Sequence, residues 1–221
     1  MAQIREIIRQ TQNKFLNMFE FKGKNKVGHD FRYFVASRAD SDSDLKAVSG
    51  ENHPDGVIMY ALYGEKKDRV VLIRQFRIPL GGFIYEFPAG LVEKGEDYRE
   101  CAVREMHEET GLTFIPVQAD PMFEAARFTS AGLTDESCCM VYGYAEGEPS
   151  RKYLEEGEEI QIILADRDEI RRILREENVS LMCAYQLMHF LADEDPFAFL
   201  SPKSRMSGTD GTERDGGKAL H

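Results

Sequence analysis

The sequence predicts an α/β or α+β fold with a β-rich N-terminal appendage, and three observations lead there. Short apolar or β-branched runs alternate with helix-period segments along most of the chain. Residues 40–55 accumulate Ser, Asp, Gly, Asn and Pro while apolar residues thin out, a soft boundary after the first forty residues. With 42% hydrophobic and 10% aromatic residues, the 221-residue chain can fill one ordinary core, and no apolar run approaches the roughly 18 residues of a membrane span.

Taken in order, residues 2–12 read as a short amphipathic helix through Ile4, Ile7 and Ile8. Residues 15–21 and 31–35 read as two strands around a polar turn. Residues 57–62 and 69–73 are apolar enough for buried strands, joined by the charged turn Gly64-Glu65-Lys66-Lys67-Asp68. Ile84-Tyr85-Glu86-Phe87 is a third strand, stopped by Pro88 and Gly90. Residues 97–110 form the strongest helix, free of Pro and Gly, acidic in its first turn and closed by Gly111. Strands follow at 140–144 and 160–164. Asp166 and Glu169 make a capping box for a helix to about Arg175, and Ser180 caps a last helix whose Leu181, Ala184, Met188 and Leu191 share one apolar side. The Gly-, Ser- and charge-rich residues from Pro202 onward read as a disordered tail. The expected division is 1–45, an extension and possible dimerisation element; 46–201, the main domain; and 202–221, the tail.

Charge and cysteines narrow the class. Twenty-eight Lys and Arg against 39 Asp and Glu leave a net charge of −11, which argues against non-specific binding to nucleic acid or anionic lipid. The N-terminus intersperses its isoleucines with charges and lacks a secretory h-region. Cys101, Cys138, Cys139 and Cys183 include no Cys-x-x-Cys pair, so no zinc site is expected, and reduced thiols in a cytoplasmic protein are.

The acid is concentrated where chemistry is expected. Residues 86–109 hold eight acidic against three basic side chains, a local charge of −5, and Glu155, Glu156, Glu158 and Glu159 add four more in five positions. Glu105 and Glu109 lie one turn apart on the same helix face, and Glu108 is three residues from Glu105. Like charges at that spacing destabilise a bare helix, and a bridging hard cation reverses the sign; Mg²⁺ commonly takes one or two carboxylates plus phosphates and waters. Arg104 has Glu100 and Glu108 at i−4 and i+4, so it orients the carboxylates.

Gly90, Glu96, Arg104, Glu105, Met106, Glu108, Glu109, Gly111 and Leu112 match every defined position of Gly-x5-Glu-x7-Arg-Glu-apolar-x-Glu-Glu-x-Gly-apolar. In this the chain resembles the Nudix hydrolases, which implies an α/β/α sandwich with a mixed sheet. Glu86-Phe87-Pro88-Ala89-Gly90, Ser130-Ala131-Gly132 with Glu136, and Glu156-Gly157-Glu158-Glu159-Ile160 are similar to loops of the ADP-ribose pyrophosphatase branch, with Ala131 where that branch carries Pro. The resemblance implies Mg²⁺, with Mn²⁺ as substitute, held by the Ala89 carbonyl, Glu105 and Glu109 with Glu108 close by. It implies that Glu156, or else Glu158, orients or deprotonates the attacking water. Arg77, Glu86, Ser130, Gly132 and Glu136 would meet a small-molecule nucleoside diphosphate sugar, with AMP and ribose 5-phosphate as products of ADP-ribose. Phe31, Tyr33 and Phe83 are candidates to stack on the base.

Alternatives stay open at this point. Arg77 also suits pairing with a strand neighbour, and the Glu156 cluster also suits a solvated loop. The N-terminal strands suit either a homodimer or a hairpin packed on its own domain. Other diphosphates (a GDP-sugar, a dinucleotide, a cofactor) share the chemistry. A non-catalytic nucleotide sensor is disfavoured because every signature position is filled.

Overall fold

The computed structural model describes residues 1–154, 157 and 159–200. Glu156, Glu158 and the tail at 202–221 lie outside the described residues.

The first unit is a three-stranded antiparallel sheet, β1 (Gln3–Arg9), β2 (Asn17–Lys24) and β3 (Asp30–Ser37), in that order. This corrects the helix expected over residues 2–12. Seven residues are too few for a helix to pay its nucleation cost in isolation, and isoleucines are β-branched. Pairing from Gln3↔Lys24 to Arg9↔Phe19 satisfies their backbone instead, and Ile7 packs against a small core of Phe19, Phe21 and Leu45. The boundary stretch is tied down rather than free: α1 (Lys46–Ser49) lies within it, and Lys46 Nζ bonds Asp55 (2.6 Å) and Ser137 Oγ (2.5 Å).

The second unit is built on a mixed sheet. Its strands are β4 (Gly56–Tyr63), β5 (Arg69–Arg77), β6 (Gly82–Glu86), β7 (Ala89–Leu91), β8 (Thr113–Pro116), β9 (Arg127–Phe128), β10 (Ser137–Glu146) and β11 (Ile160–Ala165). The main path runs β11-β5-β4-β10-β8, with β4 and β10 parallel; β6, β7 and β9 pair with β5, β4 and β10. Helices α2 (Tyr98–Thr110), α3 (Pro121–Glu124), α4 (Arg167–Glu176) and α5 (Leu181–Ala192) complete it. Side-chain alternation sorts the central strands between two cores. Val57, Met59, Ala61, Val71, Cys139 and Val141 pack with Cys101, Ala102 and Met106 of α2. Tyr60, Leu62, Leu72, Met140 and Tyr142 pack on the opposite face with α4 and α5. The result is the expected α/β/α sandwich. No helix among the described residues is long and apolar enough to cross a membrane.

Three helix details differ from expectation. The buried stripe of α5 is Cys183, Leu187 and Phe190, while Leu181 and Met188 are exposed. Apolar residues run nearly all round this helix, so its periodicity leaves the face undetermined and packing on the sheet chooses it. Ser180 makes no side-chain cap there; its backbone N–H bonds to the Tyr85 carbonyl (3.1 Å). Asp166 caps α4 through the amides of Asp168 and Glu169, but the Glu169 carboxylate turns to Arg172 instead of closing a box.

Candidate active site

Helix α2 is held at both ends. Asp97 accepts from the amides of Arg99 (2.9 Å) and Glu100 (3.3 Å), placing an anion at the helix N-terminus. Gly111 ends it at φ 71°, and a Cβ there would stand 2.7 Å from the Ser150 Cβ, so glycine serves both the left-handed turn and the close approach. Ser150 N–H returns to the Thr110 carbonyl (2.8 Å), and the His107 and Tyr153 rings lie 4.4 Å apart. The segment entering the 155–159 acid run is thereby fastened to the end of α2. The first turn is fixed by Glu124, which is 2% exposed and accepts from Arg99 Nη2 (2.5 Å) and Tyr98 Oη (3.2 Å).

The contact between α2 and β7 brings the predicted metal ligands together. Glu109 is only 5% exposed, and its Oε2 accepts from the Ala89 amide at 2.9 Å. A carboxylate that deep in the protein needs polar partners or a cation. Glu105 packs directly on Gly90, where an added Cβ would meet its Cδ at 1.9 Å. Arg104 ties the acids into one group. Its Nε and Nη2 hold Glu96 as a fork (3.0 and 3.1 Å), and its Nη1 reaches Glu105 and Glu108, both at 2.9 Å. The expected partner Glu100 is replaced by Glu96, which the Gly95 turn carries back over the helix. The hydrogen bonds from Arg104 depress the Glu96 carboxyl to about 2. Cys101 is a buried thiol pushed up to about 12 by burial, consistent with a packing role.

The other predicted residues fall into two groups. Arg77 and Glu86 pair with each other at 2.8 Å across β5 and β6, and Gln75 also donates to Glu86 (3.0 Å). The strand-neighbour alternative for Arg77 is thus the pairing seen, and it leaves Arg77 about half exposed. Ser130, Gly132 and Glu136 lie on the loop between β9 and β10. There Glu136 accepts from Arg38 Nε (3.2 Å) and Thr129 Oγ1 (3.1 Å), and the Gly132 carbonyl accepts from Tyr33 Oη (2.7 Å). The β9–β10 loop is linked towards α2 through the start of β4, where Gly56 pairs with Leu91 of β7 on one side and Cys138 of β10 on the other. Phe31 and Tyr33 line a cavity of about 450 Å³ with Phe21, Val35 and Phe128. Phe83 does not; it packs edge-on against Phe76 (5.6 Å) under Arg74.

Carboxylates and a backbone carbonyl are hard oxygen donors, the set that suits Mg²⁺ or Mn²⁺. Among the described residues no three His, Cys, Asp or Glu side chains gather into a cage that holds a metal unaided. Two carboxylates completed by waters and substrate phosphates fit Mg²⁺ in its usual manner of binding.

With this geometry in place, comparison with known proteins is decisive for the family. The NUDIX domain matches residues 52–184, more than half of the chain. The chain belongs to the Nudix family. Among curated Nudix relatives it is 34% identical over 123 residues to the putative nudix hydrolase 2 of Caenorhabditis elegans (53% of this chain, 54% of that protein). It is 31% identical over 131 residues to the ADP-ribose pyrophosphatase of Bacillus subtilis (58% of this chain, 66% of that protein). A shorter stretch of 52 residues is 52% identical to the ADP-sugar pyrophosphatase of Mus musculus, covering 24% of each. The matches thus span less than two thirds of these relatives. A solved structure described as an ADP compounds hydrolase superposes with a TM-score of 0.59 at 14% identity, covering 86% of this chain and 92% of that one, which shows the shared fold. Sequence reasoning assigned no role to Arg38, Lys46 or Asp55. Arg38 meets Glu136 98 residues on, and Lys46 and Asp55 meet Ser137 91 and 82 residues on, separations that no local pattern marks.

Proposed function

We propose that this protein is a Mg²⁺-dependent pyrophosphohydrolase that cleaves ADP-ribose, or a closely related nucleoside diphosphate sugar, into AMP and a sugar phosphate, ribose 5-phosphate in the case of ADP-ribose. The observation that carries this reading is the α2–β7 contact, in which buried Glu109 is fastened to the Ala89 amide and Glu105 is seated on Gly90. The similarity to proteins named ADP-ribose and ADP-sugar pyrophosphatases supports the choice of substrate.

Water attacks one phosphorus, a P–O bond of the diphosphate breaks, and the departing phosphate takes the electron pair. Glu105, Glu109 and the Ala89 carbonyl would hold Mg²⁺, with Glu108 beside them; such an ion neutralises the diphosphate oxygens and acidifies a water. Arg104 keeps Glu105 and Glu108 oriented while Glu96 balances its charge. Glu156, or Glu158, accepts the water's proton. Arg77 and Glu86 at the β5–β6 end and Ser130, Gly132 and Glu136 on the β9–β10 loop meet the nucleotide. Catalysis is then mostly positioning and charge neutralisation.

The unit of residues 1–45 is assigned to dimerisation. Ile4 and Phe34 of its sheet are 46% and 50% exposed, more apolar surface than a solvated edge needs. Residues 46–201 then form the catalytic domain, in the cytoplasm.

The test is a panel of nucleoside diphosphate derivatives incubated with the full chain and Mg²⁺ in ¹⁸O-labelled water, read by mass spectrometry, with an excess-chelator control. AMP and ribose 5-phosphate from ADP-ribose, lost in chelator and restored by Mg²⁺ or Mn²⁺, is the expected outcome. Preferred cleavage of a dinucleotide or GDP-sugar, or undiminished activity in chelator, would overturn the substrate or the metal assignment respectively.

A further inference from the structure

We infer that β3 of the N-terminal sheet positions the β9–β10 loop, with Tyr33 and Arg38 as positioning residues for substrate binding. This rests on the reading of that loop as a substrate contact.

The loop has little to hold it from within. Leu133 at its tip is 71% exposed, so no hydrophobic core anchors it. Its own bonds close a turn, in which the Ser130 carbonyl accepts from the Leu133 (2.8 Å) and Thr134 (3.0 Å) amides, and a ring, in which Thr129 N–H donates to the Glu136 carbonyl (3.0 Å). These bonds shape the loop without placing it relative to anything else.

Placement comes chiefly from β3, with one further bond from the Lys46 amide of α1 to Asp135 Oδ2 (3.3 Å). Tyr33 Oη donates to the Gly132 carbonyl at 2.7 Å, the Ala36 amide donates to the Leu133 carbonyl at 2.9 Å, and Arg38 Nε donates to Glu136 Oε1 at 3.2 Å. The three contacts run in the same order along both segments, and a parallel bridge joins Ala36 to Thr134. One edge of β3 is paired with β2 from Asn17↔Ser37 to Lys24↔Asp30. The loop takes the other edge, which would otherwise present bare amides and carbonyls. A second consequence follows from the same contacts. The 450 Å³ cavity is lined both by Phe31, Tyr33 and Val35 of β3 and by Phe128, Ala131 and Thr134, so the latch joins two of the segments that form it.

Ala131 occupies the second position of the Ser130–Leu133 turn, where proline's fixed φ suits the backbone. A loop without that proline is stiffened from outside, by β3. The two devices should therefore substitute for each other.

The experiment compares wild type with Tyr33→Phe, Arg38→Ala, the double variant, and Tyr33→Phe combined with Ala131→Pro. Native-state amide exchange and the KM and kcat for ADP-ribose are measured, with thermal melting as a check that each variant folds. Exchange at Ala36, Leu133 and Thr134 should rise about tenfold in the double variant, as loss of a hydrogen bond to the loop implies. KM should rise by a similar factor while kcat stays within about twofold, because the metal carboxylates are untouched. Ala131→Pro should return both readouts of Tyr33→Phe toward wild type, and a further variant, Arg38→Lys, should stay close to wild type in both. Unchanged exchange in the double variant overturns the latch. Raised exchange with unchanged KM overturns its role in binding, and a KM defect that proline does not relieve assigns Tyr33 to direct contact instead. If wild type leaves ADP-ribose intact, the substrate reading fails separately. The KM comparison then moves to whichever diphosphate of the panel is cleaved, and exchange still decides the latch.

Discussion

Gly90→Ala isolates the seat of the Glu105 carboxylate from everything else in the fold. Gly90 does not adopt a positive φ, so alanine brings no backbone strain. The three nearest atoms to an added Cβ all belong to the Glu105 side chain, at 1.9 Å for Cδ and 2.2 Å for Cγ and Oε1. Bringing Cδ from 1.9 Å to the 3.4 Å of ordinary contact moves the carboxylate by about 1.5 Å. The side chain can rotate away at a cost of about 0.5–1.5 kcal/mol, plus up to about 1 kcal/mol for a strained Arg104 contact, offset by about 0.4–1 kcal/mol from replacing glycine. The melting temperature should therefore fall by no more than about 8 °C. Catalysis is less forgiving, since displacement of a positioned group by about 1 Å can cost about 10²-fold. We expect kcat for ADP-ribose hydrolysis, measured as AMP released in saturating Mg²⁺, to drop by about two orders of magnitude. Because the effect runs through Glu105, adding Gly90→Ala to Glu105→Gln should cost little more than Glu105→Gln alone. Wild-type turnover in Gly90→Ala, or a full additional loss in the double variant, would refute the claim that Gly90 exists to seat this carboxylate.

Glu109→Gln keeps the shape and an acceptor for the Ala89 amide, so it should fold normally while turnover drops by two or more orders of magnitude; circular dichroism and steady-state rates check both halves. Glu124→Ala should lower unfolding stability by about 2–4 kcal/mol in urea, because it strips a 2%-exposed anion from Arg99 and frees the first turn of α2; a loss under about 1 kcal/mol would show that this pair holds nothing. Burial pushes Cys138 up to about 12 and Cys139 up to about 11 and raises Cys183 likewise. Since only the thiolate reacts, at pH 8 roughly one thiol in a thousand or fewer is reactive, and alkylation of the native protein should stay slow until pH nears 11 or denaturant is added; rapid labelling at pH 8 would contradict this.

What was legible in the sequence was what depends on neighbours in the chain. Glu105 and Glu109 share a helix face because of the 3.6-residue period, Gly111 ends that helix because only glycine takes φ 71° comfortably, and the alternating strands announce a sheet covered on both sides. Local pattern misled where two structures satisfy it equally. Ile4, Ile7 and Ile8 fit a helix until β2 offers a row of backbone partners, and the nearly all-apolar α5 presents whichever stripe the sheet accepts. Tertiary structure alone decided that Glu96 rather than Glu100 meets Arg104, that Glu109 is buried against Ala89, and that β3 takes the Gly132 loop. Glu96 reaches Arg104 because the Gly95 turn folds back over the helix, whereas the other two join segments 20 and 99 residues apart that the sheets bring together, a proximity of which a linear pattern carries no record.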